Sequence, residues 1–81
     1  MEIQKIKKLI VEKMIENNLM KKRGFVLVTI IEWLKEYNIE VFKIQEALDL
    51  LCKEGVIKEI RSNTYNCLYD CDDLEKMSNS W

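Results

Sequence analysis

Apolar residues recur at helical spacing in three stretches of the chain, which cover residues 3–19, about 29–37 and about 41–54. Positions i, i+3, i+4 and i+7 of a helix share one face, so apolar residues at that spacing predict an amphipathic helix. We therefore predict three helices. The apolar faces of the second and third consist of Ile30, Trp33, Leu34 and Tyr37, and of Ile44, Ala47, Leu48 and Leu51.

Strand and turn signals flank the second helix. Residues 25–27 predict a short strand before it, and Thr29 lies near the position of an N-cap hydroxyl. Asn38 and Glu40 are the two candidates for the cap of the third helix. Ile39 between them is expected to point inward from the turn.

The third helix ends at a glycine that is followed by two β-branched residues. Gly55 can adopt the positive φ of a helix C-cap. Residues 57–60 and 65–69 then predict two strands around the polar turn 61–64, where Asn63 tolerates a left-handed backbone. The segment therefore predicts a β-hairpin, which must pack on the helices to be stable.

The chain resembles the winged helix-turn-helix family over roughly residues 24–69, through the apolar face of the third helix, Ile39 and the Gly55-Val56-Ile57 junction. The resemblance implies a mainly α fold with a small hairpin wing, in the order α1-β1-α2-α3-β2-wing-β3. We expect one domain over residues 1–81. It would consist of an N-terminal helix and basic turn (1–23), a winged core (24–69) and an acidic tail (70–81) with one helical turn near 72–77.

The resemblance also implies a transcriptional regulator that binds double-stranded DNA in a sequence-specific manner. Gln45 is the best candidate base reader, because glutamine pairs bidentately with adenine in the major groove, and Arg61 suits a phosphate or a narrow minor groove. The full set of expected DNA-contacting residues comprises Lys43, Gln45, Glu46, Asp49 and Lys53 on the helix, Lys58, Arg61, Ser62, Asn63 and Thr64 on the wing, and Lys21, Lys22 and Arg23 in the basic turn.

Charge is distributed unevenly along the chain, and this counts against the simplest DNA-binding hypothesis. Seven Lys/Arg oppose three Glu in residues 1–23, whereas acids exceed bases by three in residues 24–55 and by two in residues 56–81. DNA-binding domains usually carry a basic docking face. Two alternatives therefore stay open: a winged-helix module that binds a protein, such as a viral protein binding a host factor, and a purely structural helical adaptor.

The first helix has an apolar arc wider than one core contact needs. Ile3, Ile6, Ile10 and Met14 cluster in one sector, and further apolar residues occupy the next. One interpretation is a homodimer interface formed by these four residues. The other is that the helix is wrapped by its own domain. The arc alone gives both equal weight, and of the two we expect the homodimer.

Residue types argue against catalysis and metal binding. The chain has no histidine, three cysteines and no Cys-x-x-Cys pair, so neither a structural zinc site nor a cysteine nucleophile with its usual base is expected. We predict a non-enzyme without cofactors. Cys67 and Cys71 could form a disulfide, within or between chains.

Targeting signals are not evident in the sequence. The longest apolar stretch, residues 25–31, is too short to span a bilayer, and the N-terminus does not follow a signal-peptide pattern. We therefore expect a cytoplasmic protein without a membrane partner. The enrichment in Ile, Lys and Asn suggests an A+T-rich genome, and small one-domain regulators of this kind are frequent in phages and archaeal viruses.

Overall fold

The computed structural model describes residues 1–19, 21 and 23–81. These residues form a mainly helical fold with a small antiparallel sheet, as the sequence predicts. In chain order the elements are α1 (Ile3–Glu16), β1 (Gly24–Val26), α2 (Leu27–Trp33), a 3-10 turn (Lys35–Tyr37), α3 (Val41–Lys53), β2 (Ile57–Arg61), β3 (Thr64–Cys67) and α4 (Cys71–Asn79).

The sheet has β3 at its centre, paired antiparallel with β1 on one side and β2 on the other. The predicted hairpin is therefore present, as β2 and β3. Phe25 of β1 stands opposite Tyr65 of β3, and their stacked rings have centroids 5.7 Å apart. A two-stranded ribbon is only marginally stable on its own. The third strand and its aromatic pair therefore hold the hairpin on the helices.

One hydrophobic core joins the helices to the inner side of the sheet. Helix α1 packs against both α3 and α4, and the start of β2 continues the core from the end of α3. The side chains that are almost fully excluded from solvent are Ile6, Ile10, Val11, Met14, Ile30, Leu34, Ile44, Ala47, Leu48, Leu51, Val56, Ile57, Tyr65, Cys67 and Leu74.

Two helices end in the same motif, a left-handed residue stabilised by backbone hydrogen bonds. At the end of α3, Gly55 has φ of 78°, its N–H donates to Cys52 O at 3.1 Å, and the N–H of Val56 donates to Leu51 O at 3.0 Å. This is the Schellman arrangement, and it confirms the predicted glycine C-cap. Asn18, with φ of 52°, plays the same part after α1.

Some predicted boundaries were wrong. Helix α1 ends at Glu16 rather than residue 19, because Asn18 leaves the helical region. Thr29 does not cap α2; the helix already begins at Leu27, whose N–H donates to Asn63 O at 2.9 Å. A contact with the distant hairpin therefore fixes this helix start, and no local sequence signal records it.

The acidic tail forms a longer helix than predicted. Helix α4 has nine residues, whereas the sequence indicated one turn. Leu74 is fully buried, and α4 packs along α1. Among the described residues no helix is long and apolar enough to cross a bilayer.

The wide apolar arc of α1 is explained within the chain. Ile6, Ile10 and Met14 have no exposed surface and Ile3 is half-buried against the core, because α3 covers one side of the arc and α4 covers another. These side chains are not available on the surface as the predicted interface requires. The arc therefore gives no argument for a second chain.

Candidate functional site

The outward face of α3 is the first part of the candidate site. Apolar residues at i, i+3, i+4 and i+7 turn toward the core, which leaves the opposite stripe in solvent. Lys43 is half-buried at its edge. The exposed residues of this stripe are Phe42, Gln45, Glu46, Asp49 and Lys53.

The turn before α3 determines where this stripe begins. Asn38 adopts a left-handed backbone with φ of 53°, and the extended residue Glu40 precedes the helix. The carbonyl of Glu40 accepts the N–H groups of Lys43 and Ile44 at 3.0 and 3.2 Å, while no side chain caps the helix. Ile39 is half-buried against the core, as predicted from its place in the turn.

The tip of the hairpin is the second part of the candidate site. Asn63 has φ of 60°, which confirms the predicted left-handed turn residue, and its N–H donates to Glu59 Oε2 at 3.1 Å. Its carbonyl accepts the N–H of Leu27 at 2.9 Å. The tip is thus attached to the first residue of α2, which restricts its movement relative to the helices.

Four of the five predicted wing residues lie at or beside this tip. Lys58, Arg61, Ser62 and Asn63 are exposed, and Thr64 is half-buried. Arg61 stands opposite Thr64 across the hairpin, after an irregularity between Glu59 and Arg61. Arg61, Ser62, Asn63 and Thr64 therefore share one end of the sheet. Lys58 pairs with Asn66 near the other end, in the same row as Gly24.

The basic turn lies elsewhere. The carbonyl of Arg23 accepts the N–H of Cys67 at 3.2 Å, at the end of β3 remote from the tip. Cys67 lies three positions after Thr64 on β3, so Arg23 is about 10 Å from the tip along the strand. The backbone N–H of Lys21 donates to Asp70 Oδ1 at 3.2 Å, and Lys22 lies outside the described residues. Lys21 and Arg23 therefore do not join Arg61 in one basic cluster.

Acids and bases balance across α3 and the hairpin. Residues 42–64 contain four Lys or Arg and four Asp or Glu. Glu54 is paired with Lys7, and Glu59 accepts the N–H of Asn63. Glu46 and Asp49 are thus the acids that face solvent on the α3 stripe, where they oppose any phosphate that approaches.

The α3 stripe and the hairpin meet beside Tyr65. Burial raises the pKa of Tyr65 to about 12, and the nearby charges of Glu59 and Asp49 add to the shift. Burial also raises the pKa of the Cys52 thiol, which is half-buried on α3. A thiol with a raised pKa is a poor nucleophile. Asp49 of α3 and Glu59 of β2 are both close to Tyr65, so the last turns of α3 lie alongside the hairpin.

Three large apolar side chains are exposed on α2, α3 and β2. Phe42, in the first turn of α3, is 53% exposed, and Val28, in the first turn of α2, is 65% exposed. Ile60 of β2 is also exposed. Exposed apolar residues next to polar ones are a common feature of protein-binding surfaces.

No disulfide joins Cys67 to Cys71 within the chain. Cys67 and Cys71 are free thiols: Cys67 Sγ donates to Tyr69 O at 2.9 Å, and Cys71 Sγ donates to Leu19 O at 3.4 Å. Burial raises the pKa of Cys67. Within the described ranges, no three His, Cys, Asp or Glu side chains come together as a metal site.

Sequence reasoning missed a buried ion pair behind α3. Lys7 Nζ donates to Glu54 Oε1 and Oε2 at 3.0 and 3.1 Å, and it lies 4.2 Å from the ring centroid of Trp81. The Lys7 side chain is 4% exposed. A lysine on the first helix gives no local signal for a partner 47 residues away.

Comparison of the chain with models of known protein families, with curated proteins and with solved structures gives no significant match.

Proposed function

We propose that the chain is a winged helix-turn-helix domain that binds double-stranded DNA through α3 and the β2–β3 hairpin. The observation that carries the proposal is the order of the elements together with the strand order β1-β3-β2. In that arrangement, a helix with a solvent-facing stripe leads directly into a hairpin whose tip carries polar and basic residues. An α-helix is about as wide as the major groove of B-DNA.

The chemistry of the exposed residues assigns their roles in this proposal. Gln45 faces solvent on α3, where it would pair with adenine. Arg61 at the hairpin tip and Lys58 on β2 would contact phosphates beside the groove. Because Glu46 and Asp49 repel phosphates, the binding energy would come mainly from the hairpin, and affinity at moderate salt would be low.

Three variants of the whole protein test this docking. Arg61→Ala should weaken binding to all sequences and reduce the slope of log K against log salt by about one unit. Gln45→Ala should cost about 1–3 kcal/mol on a selected site only. Glu46→Gln should tighten non-specific binding, because it removes a charge that faces the phosphates.

Matched controls lie on α4, away from the proposed face. Lys76→Ala removes the same charge as Arg61→Ala, and Glu75→Gln removes the same charge as Glu46→Gln; both α4 residues are exposed. Fluorescence anisotropy with a labelled mixed-sequence duplex measures all of them. If the α4 variants change affinity as much as the variants of α3 and the hairpin, net charge alone governs binding and the docking model is wrong.

A second candidate function is protein binding by the same face, and Phe42 is the observation that favours it. An exposed phenylalanine beside Glu46 and Asp49 suits a basic amphipathic segment better than a nucleic acid. A helical peptide of Lys and Leu is a suitable probe. Under this hypothesis Phe42→Ala weakens peptide binding, whereas under the DNA hypothesis it leaves non-specific affinity for the duplex unchanged.

A further inference from the structure

The outward face of α1 is another exposed surface in the part of the chain that the structure describes. It lies opposite the buried arc and is bordered by two grooves that share Lys8 and Glu12. The N-terminal groove, of about 400 Å³, is lined by Met1, Lys5, Leu9 and Tyr37 as well as the shared pair. The C-terminal groove, of about 320 Å³, lies between α1 and α4.

The two grooves carry opposite charge. Lys5 and Lys8 make the N-terminal groove basic, with Glu12 as its one acid. Beyond the shared pair, the charged residues of the C-terminal groove are Glu16 and Glu75. Lys13 Nζ donates to Glu16 Oε2 at 3.2 Å, but the Glu16 side chain is still 62% exposed, so Glu12, Glu16 and Glu75 all present negative charge there.

The charges on this face would complement those of a second copy placed in the antiparallel orientation. We propose that a second copy of this chain docks on the outward face of α1, with the two α1 helices antiparallel around a two-fold axis near the middle of the helix. In a two-fold interface every contact occurs twice: residue i of the first copy meets residue j of the second, and residue j of the first meets residue i of the second. Lys8 then stands opposite Glu12 of the other copy, and Lys5 stands opposite Glu16.

Helix geometry supports this register. Residues 5, 9, 12 and 16 follow one another at intervals of about one turn, so they form one stripe along the helix. The stripe has a lysine at its start, Leu9 near its middle and two glutamates at its end. An antiparallel pair brings opposite charges together at both ends, whereas a parallel pair would place like charges side by side.

The proposed pairing differs from the one that the apolar pattern indicated. Ile6, Ile10 and Met14 stay in the core of each copy. The contact is made by the stripe, by Lys8 beside it, and by Met1 and Tyr37. A helix of 14 residues is about 21 Å long, so the contact is small. Interfaces of this size are weak, and we expect a dissociation constant for the dimer on the order of 10–100 µM.

The pairing has a geometric consequence for DNA binding. The outward face of α1 points away from α3, because α3 packs on the buried side of α1. The α3 stripes of the two copies would then stand on opposite sides of the pair. Each copy would meet its own stretch of duplex, rather than two adjacent half-sites of one operator.

Sedimentation equilibrium of the whole protein without DNA tests the pairing, so its outcome is independent of the proposed function. The parent chain should move from 9.7 kDa toward twice that mass, about 19 kDa, as its concentration rises through the expected range. Lys8→Glu and Glu12→Lys should each remain monomeric over that range. Lys53→Glu, a charge reversal on α3, should associate like the parent.

Mixing the two charge-reversed variants is the decisive step. In a Lys8→Glu chain paired with a Glu12→Lys chain, both contacts between positions 8 and 12 are attractive, so the mixture should recover the mass of a dimer. Recovery also shows that each variant is folded. A parent that stays at 9.7 kDa at millimolar concentration, single variants that associate like the parent, or a mixture that stays monomeric would each overturn the proposal.

Discussion

The buried ion pair between Lys7 and Glu54 predicts an unequal response to the loss of its two members. Lys7 is almost fully enclosed, whereas the Glu54 side chain is 34% exposed. If Lys7→Met removes the ammonium group, Glu54 can turn toward water. If Glu54→Gln removes the carboxylate, the ammonium group stays buried beneath Trp81 without its counter-ion. The second change should therefore be the more harmful.

The magnitudes follow from the geometry. Breaking a fully buried pair by removing one partner costs about 3–5 kcal/mol, and the exposure of Glu54 lowers this to about 1–3 kcal/mol. Replacing the lysine by an apolar chain of similar length should change stability by less than about 1 kcal/mol. A chain of 81 residues has a total stability of roughly 4–12 kcal/mol, so Glu54→Gln removes a substantial part of it.

Equilibrium urea unfolding, followed by far-ultraviolet circular dichroism, measures these differences. Adding Lys7→Met to Glu54→Gln should restore most of the lost stability, because no buried charge then remains. Trp81→Ala should cost about 0.5–2 kcal/mol in the parent and less in the Lys7→Met background, since its ring covers the ammonium group. A larger cost for Lys7→Met than for Glu54→Gln, or a double variant no more stable than Glu54→Gln, would contradict a buried Lys7 charge that needs its counter-ion.

Three further predictions concern stability. Asn18→Gly should stabilise the fold by about 0.5–1 kcal/mol in urea unfolding, because Asn18 has φ of 52° at the end of α1, whereas Gln4→Gly in the first turn of α1 should not stabilise it. Leu48→Ala should cost about 2–5 kcal/mol, because Leu48 is fully buried; a cost below 1 kcal/mol would contradict its place in the core. Tyr65 has a folded pKa of about 12 against an ordinary value of 10.0, so stability should be unaffected below pH 10 and should fall by about 2–3 kcal/mol as the pH rises to 12. Tyr65→Phe should lose this part of the pH dependence, and an unchanged pH profile would contradict the assignment.

The sequence predicted correctly those elements whose conformation depends on neighbouring residues. The α3 pattern, the glycine at position 55 and the left-handed residue at position 63 all depend on a few neighbouring residues, and the structure has them where the sequence indicated. The hairpin followed from the same signals. Its pairing with β1 did not, because the contact of Phe25 with Tyr65 joins residues that are far apart in the sequence.

Long-range packing explains what the sequence could not provide. The wide arc of α1 suggested a second chain because the acidic tail gave little sign of a helix that would cover it, yet α4 buries Leu74 against the core. In the sequence Lys7 cannot be told from a solvated lysine, because Glu54 and Trp81, which enclose it, lie far away along the chain. Likewise, Arg23 contacts the hairpin strand at its far end and Lys21 contacts Asp70 beyond that strand, a separation from Arg61 that no count of charges along the chain reveals.

Heteronuclear NMR of the labelled whole protein, titrated with a mixed-sequence duplex at low salt, shows whether α3 and the hairpin bind DNA. Amide shifts should change mainly in residues 41–53 and 58–64, and the outward face of α1 should be unaffected. The changes should fade as salt is raised. Shift changes confined to the outward face of α1, or none at low salt, would contradict DNA binding through α3 and the hairpin.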